Sequence, residues 1–372
     1  MTLDDLATPC LVLDRPTLRH SIARMAEVAA HAGVPLRPHM KTAKSVEVAR
    51  LALEGQPGGI TVSTLAEAAY FADAGITDIL YAVGITPQKL DAVAALNANG
   101  ADVTIITDDS DMADVIAAHP APPRTLIEID TGEHRGGLAP DDAAVLTLAT
   151  KLGTHLAGVM THAGHSYAGR GDADMARITA AERAGAVRAA ERLRAAGHAC
   201  PIVSVGSSPT ALHGEPRSGI TELRAGVYMF GDLFQAGIGT HGPDDIAVTV
   251  LASVIGRRPQ THRFLIDAGG LALSKDRSTE ALAEDCGFGL VRDAANRPAF
   301  GRAVVERAYQ EHGVVACDPA RPWPGLRIGD RVRVAPNHVC MTAAAHERYF
   351  VVDGGVEVVA VWERVNFWQP DR

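Results

Sequence analysis

The 372 residues carry 47% hydrophobic and 21% charged side chains, a balance that supports large buried cores and excludes a disordered or collagen-like chain. Two domains are expected, because single cores stop growing near roughly 250 to 300 residues, and the formal charge of -9 offers no field to a phosphodiester backbone, which removes nucleic acid as a partner and favours small molecules. No apolar run approaches the roughly 18 residues of a membrane span. The opening MTLDDL is acidic where a secretory leader is basic, and five scattered cysteines without CxxC spacing argue against a disulfide framework, so the expected setting is the cytoplasm, away from membranes.

In chain order, TPCLVLD at Thr8 to Asp14 predicts an isolated strand, available to a C-terminal sheet, followed by a helix over PTLRHSIARMAEVAAHAG. Then short apolar runs predict eight strands: Pro35 to Pro38, Gly59 to Val62, Asp78 to Ala82, Val103 to Thr107, Thr125 to Asp130, Leu156 to Thr161, Ile202 to Val205 and Glu222 to Val227. Between them lie stretches rich in helix formers, such as SVEVARLALEG and TLAEAAYFADAG, several closed by Gly. Strands alternating with helices imply right-handed βαβ units and a parallel sheet, and eight units in this length fit an α/β class (β/α)8 barrel. A doubly wound sheet is the rival, but no GxGxxG follows a first strand. Past residue 245, runs such as VTVLASVIG, RVRVAPNHVC and VEVVAVWERV are rich in β-branched residues and predict a mostly β C-terminal domain. The expected division is a barrel over 15–245 and a β domain over 246–372 that takes in the strand of 1–14.

In a barrel of this kind, chemistry belongs at the carboxyl ends of the strands. The first exit, RPHMKTAKS, places Lys41 beside His39 and Thr42. Most lysines are merely solvated, whereas one held at a barrel mouth can form a Schiff base with a carbonyl. The seventh exit, Val205 to Thr210, offers Gly206, Ser207 and Ser208 with a helix start at Pro209. The eighth, Arg224 to Tyr228, adds Gly226, Val227 and Tyr228. Each alone reads as an ordinary turn or cap; together, at the strand exits where this fold holds phosphate, they point to a phosphorylated ligand. A Schiff-base lysine with a phosphate cradle is the requirement set of pyridoxal 5'-phosphate (PLP). In Pro336 to Cys340, read as a strand, His338 and Cys340 would share a face and present imidazole and thiolate to a divalent ion, although a buried His beside a small apolar Cys is the alternative.

TPCLVLD, RPHMKT, THAGHSYAG, SVGSSPT, ELRAGVYMFGD, DAGGLALSKD, EHG and PNHVC, in this order from Thr8 to Trp362, resemble the pattern of the D-serine dehydratase/D-threonine aldolase family, alanine-racemase-like PLP enzymes of fold type III. The resemblance implies Lys41 as the PLP lysine and Gly206, Ser207, Ser208, Gly226, Val227 and Tyr228 as the phosphate-binding segments. It offers Tyr167 and Arg224 as rival partners of the pyridine nitrogen, and places Arg135 near the cofactor's phenolic oxygen. It implies a metal on His338 and Cys340, with zinc favoured over manganese or magnesium, and a homodimer. His162 and His165, after the sixth strand, are candidates to reach a substrate hydroxyl.

The implied activity is that of a PLP- and metal-dependent lyase on β-hydroxy D-amino acids. Dehydration of D-serine or threo-3-hydroxy-D-aspartate to keto acid and ammonia is favoured by the H-x-C pair, since aldolase-like members more often present a carboxylate at the second position. One alternative is retro-aldol cleavage of D-threonine to glycine and aldehyde, with His165 taking the hydroxyl proton. Another, of a different class, is a non-catalytic PLP-binding protein.

Overall fold

The computed structural model describes residues 1–213 and 218–368. The chain separates into two compact units, one of Ala23–Gly226 and the other of Met1–Ile22 with Val227–Asn366, the C-terminal tail aside.

In the first unit the eight apolar runs form parallel strands: β2 (Leu36–Pro38), β3 (Ile60–Val62), β4 (Asp78–Gly84), β5 (Asp102–Thr107), β6 (Thr125–Glu128), β7 (Leu156–Met160), β8 (Ile202–Val205) and β9 (Glu222–Ala225), numbered after an earlier strand β1 (Cys10–Asp14). Their order is β2-β9-β8-β7-β6-β5-β4-β3, and a parallel bridge between His39 and Thr61 brings the two ends together, so the barrel is nearly closed. β3, β7 and β9 are buried at every position. That is why β3 and β7 read as unbroken apolar runs and not as alternation, as a parallel sheet covered by helices requires, whereas β9 buries the charged Glu222 and Arg224. Leu80, Ile106, Leu126, Ala157 and Met160 pack as one cluster of the core. Parallel register carries the strand ends to one level, with Pro38 beside Ala225 and Ser204 beside Glu222. The exits of β2, β7, β8 and β9 therefore converge on one mouth.

The second unit is a nine-stranded sheet of β1, β10 (Val248–Arg258), β11 (Arg263–Ile266), β12 (Leu290–Asp293), β13 (Ala303–Ala308), β14 (Gly313–Ala316), β15 (Arg331–Ala335), β16 (Arg348–Val352) and β17 (Val358–Glu363). All its pairings are antiparallel except that of β1 with β16. The sheet order β11-β14-β13-β12-β15-β10, closed by a further β10–β11 pairing, makes a ring of six strands. The N-terminal strand β1 lies between β10 and β16, with Leu11 opposite both Val250 and Tyr349. Leu3, Leu6, Cys10, Val12, Leu251 and Val352 pack together around it.

One local expectation fails here. β15 stops at Ala335, and the H-x-C segment is not a strand: His338 is the N-cap of a short helix, Val339–Ala343. Pro336 has no N–H to continue a ladder. The N–H of Val339 goes instead to Asp232 Oδ2 at 3.0 Å, and the carbonyls of Pro336 and Asn337 accept from Leu233 and Phe234. Among the described residues no helix is long and apolar enough to cross a membrane.

Candidate active site

At the barrel mouth, the turn after β2 is fixed by its backbone. His39 N–H donates to the Ala225 carbonyl at 2.7 Å and Met40 N–H to the Thr61 carbonyl at 2.8 Å. Met40, Thr42 and Ala43 are fully buried, while Lys41 between them is exposed, with its N–H 3.4 Å from His39 Nδ1. A rigid backbone thus presents one accessible amine.

The ring of His162, in the segment after β7, donates from Nδ1 to the Gly206 carbonyl at 2.9 Å. Burial, reinforced by the charges of Lys41, Arg224 and Arg135, pushes its pKa down to about 3. His39 is held well below the usual imidazole range by burial and by Lys41 and Arg224. Both imidazoles are therefore neutral at pH 7, and three cations bear on one small region of a chain that is acidic overall. Arg224 is buried at 3% exposure; its guanidinium donates to Ser204 Oγ and to the Thr161 carbonyl. Arg135 is exposed and stands 3.8 Å from Glu128, whose carboxyl is pushed up by burial. Such a mouth suits an anionic ligand.

The turn after β8 packs beside this region. Gly206 has φ +144, and a Cβ there would lie 1.9 Å from the Arg224 carbonyl oxygen, while one at Gly226 would lie 2.7 Å from that of His39. Only glycine lets these backbones approach. Ser207 caps the helix Ser208–Leu212 by accepting from Thr210 N–H at 3.3 Å and meets the Ser166 hydroxyl at 2.9 Å, and the buried Glu182 takes the Gly206 N–H at 2.8 Å. Tyr167, half-buried, lies in the same Gly164–Ala168 turn as Ser166. An accessible amine in cationic surroundings fits PLP, an anionic aldehyde.

His165, in that turn too, has its Nδ1 3.8 Å from Glu133 Oε2, and both atoms are buried without a hydrogen-bond partner. Glu133, two residues before Arg135, has no role in the sequence analysis. Val227 and Tyr228 follow β9 directly in the chain but belong to the second compact unit. Burial pushes the Tyr228 hydroxyl pKa up.

His338 and Cys340 also lie in the second unit. Although the strand geometry expected for them is replaced by a helix start, their side chains meet, with the ring hydrogen-bonded to the sulfur. Two carboxylates that the sequence analysis left without a role, the last residues of ELRAGVYMFGD and DAGGLALSKD, flank them. His338 Nδ1 donates to Asp276 Oδ2 at 3.1 Å. Burial disfavours the charged ring, but Asp276, Cys340 and Asp232 overcome it and raise the pKa to about 11. Burial alone would raise Asp276, yet the bonds from His338 and Ser278 hold it at about 2. Asp232, wholly buried, is pushed up to about 6. Among the described residues no three His, Cys, Asp or Glu side chains gather in a metal-holding group. An imidazole and a sulfur are donors that suit a divalent ion, whose remaining positions would be left to water or substrate.

Two family models match, the alanine racemase N-terminal domain over residues 13–233 and a putative serine dehydratase domain over 247–352. The chain is 42% identical to the D-threo-3-hydroxyaspartate dehydratase of Delftia sp. (strain HT23) over 99% of each chain, and 30% identical to an Arthrobacter D-threonine aldolase over 96% of this chain and 91% of that one. A solved structure of a D-threo-3-hydroxyaspartate dehydratase, a cysteine-to-alanine variant described as being in the metal-free form, superimposes with a TM-score of 0.94 at 41% identity, covering 99% of this chain and all of the other.

Proposed function

Because the chain belongs to the family of D-serine dehydratases and D-threonine aldolases, PLP-dependent lyases on the alanine-racemase fold, we propose that it dehydrates a β-hydroxy D-amino acid, with D-threo-3-hydroxyaspartate as first candidate substrate and D-serine as second. The observation that carries this reading is the pairing of one accessible amine, Lys41, on a rigid turn with neutral imidazoles and a cationic mouth. In the net reaction the Cα proton and the β-hydroxyl leave as water. Hydrolysis of the resulting enamine returns one water and yields an α-keto acid and ammonia.

When bound, PLP supplies an electron sink for the bond broken at Cα, and the divalent ion a Lewis acid toward the hydroxyl. Lys41 would hold the cofactor through its amine and, with that amine free, would be the base toward the Cα proton. Gly206, Ser207, Ser208, Gly226, Val227 and Tyr228 would hold the phosphate, and Arg135 the phenolic oxygen. Arg224 or Tyr167 would face the ring nitrogen, and neither would protonate it as a carboxylic acid does, which would suit a reaction whose leaving group departs early. Neutral His39 and His162 keep the mouth free of further cations that would repel the lysine in its charged form. His338 and Cys340 would hold the ion.

Zinc is the ion we infer, since thiolate with imidazole suits a borderline-soft metal better than oxygen-seeking magnesium or manganese. A homodimer follows from the family resemblance, and a cytoplasmic setting agrees with five cysteines that are all free thiols. The net charge gives nucleic acid no purchase.

Retro-aldol cleavage is the second reading, favoured by the apposition of His165 and Glu133, which would serve a base acting on a β-hydroxyl. Incubation of metal-loaded protein with D-threo-3-hydroxyaspartate, D-serine and D-threonine separates the two. The expected products are keto acid and ammonia from the first two. Glycine with an aldehyde as the main products would replace dehydration by cleavage, and no turnover of any of the three would leave a PLP-binding protein without lyase activity.

A further inference from the structure

We propose that Asp276 is the positioning carboxylate of the metal histidine: it grips the His338 ring at Nδ1 and thereby commits Nε2 to the ion, alongside the Cys340 sulfur. The proposal rests on the reading of His338 and Cys340 as the metal pair.

Asp276 is itself held in place for this. Its Oδ1 accepts from the Ser278 N–H at 2.8 Å and from the Ser278 hydroxyl, and its own N–H donates to Ser274 Oγ at 3.2 Å. That leaves Oδ2 to face the imidazole, 3.1 Å from Nδ1. The neighbouring Arg277 does not compete for it, being paired with Asp285 at 2.6 Å and stacked over the Phe288 ring. Among the described residues Asp276 does not gather with His338 and Cys340 into a three-donor group.

The other carboxylate at this place has different work. Asp232 takes the N–H groups of Val339 and Gln235, at 3.0 and 2.7 Å, so it fixes the backbone that carries His338 and Cys340. Of these two carboxylates, Asp276 is the one hydrogen-bonded to the ring. A neutral imidazole has one N–H and one lone pair, and a carboxylate on Nδ1–H assigns the lone pair to Nε2, stops the ring from turning, and makes Nε2 a stronger donor. The charge of a divalent ion would then be balanced by the Cys340 thiolate in contact with it and the Asp276 carboxylate one atom layer out.

The test measures zinc affinity of the chelator-stripped full-length protein by competition with a chromophoric chelator. Asp276→Ala is expected to weaken zinc binding about 10- to 100-fold, the usual effect of losing such a partner. Asp276→Asn is expected to weaken it less, because its amide oxygen still accepts from Nδ1. Equal affinity in wild type and both variants overturns the role of Asp276 and leaves the metal pair standing. Unchanged zinc binding in His338→Ala and Cys340→Ala overturns the pair, and this proposal with it. Should Asp276→Ala fail to fold, long-range 1H–15N spectra of zinc-loaded wild type decide. Nδ1 of His338 protonated and Nε2 bound to zinc is the expected pattern; the reverse assignment overturns the proposal.

Discussion

Lys41→Ala leaves a folded barrel that no longer shows the visible absorbance of bound PLP and loses at least about 10⁴-fold in kcat/KM for D-threo-3-hydroxyaspartate. Proton transfer by a positioned side chain is worth roughly 10²- to 10⁴-fold, and this amine also carries the covalent attachment of the cofactor, so both contributions vanish together. The fold survives because the turn is held by its backbone and by buried Met40, Thr42 and Ala43, none of which depends on the lysine side chain. Unchanged thermal unfolding of the cofactor-free protein checks this. Lys41→Arg keeps a positive charge beside His39 and His162 but offers no amine of the required kind, and is expected to be as inactive as the alanine variant. Visible absorbance retained by either variant contradicts the assignment.

Cys340→Ala is expected to abolish stoichiometric zinc and to lower dehydration by about 10³-fold, which corresponds to the several kcal/mol that a Lewis acid contributes at a developing charge. The effect is large because the chain supplies only two donors, and removing the sulfur leaves one imidazole, a single ligand that cannot retain the ion. Replacement by Asp keeps an anion but changes its hardness, so Cys340→Asp should recover activity better with manganese or magnesium than with zinc. Metal analysis and activity across the three ions measure this directly. Full zinc content in Cys340→Ala would place the ion elsewhere.

The barrel was legible because its signals are local. Each of the eight strands is a short apolar run between an amphipathic helix and a polar turn, and the observed strands fall on those runs with their ends moved by a residue or two. The helix start after β8 was legible for the same reason, since Gly206, Ser207 and Pro209 lie within four residues, and Ser207 caps the helix by accepting from Thr210. What escaped depends on distant partners. The strand assumed for H-x-C ended at Pro336, and the helix start that replaced it needs Asp232, 107 positions away. Asp276 reaches His338 across 62 positions, and Glu133 faces His165 from a different strand exit. No period or composition announces such contacts. The order of the nine-stranded sheet, with the N-terminal strand between β10 and β16, was equally beyond local pattern, although the availability of that strand for pairing was readable.

The charge state of the mouth is another property of the folded chain alone. His39 and His162 look like ordinary candidates for acid–base work, yet burial beside Lys41 and Arg224 holds both neutral. On the proposed reading they line the site, and the proton at Cα is left to the lysine.

The claim that this amine is the site of attachment is tested most directly by borohydride reduction of the PLP-loaded protein, followed by peptide mapping in a mass spectrometer. A pyridoxyl group on Lys41, at one per chain, is the predicted result. The same label on Lys44 or any other lysine, or no stable label at all, would contradict it.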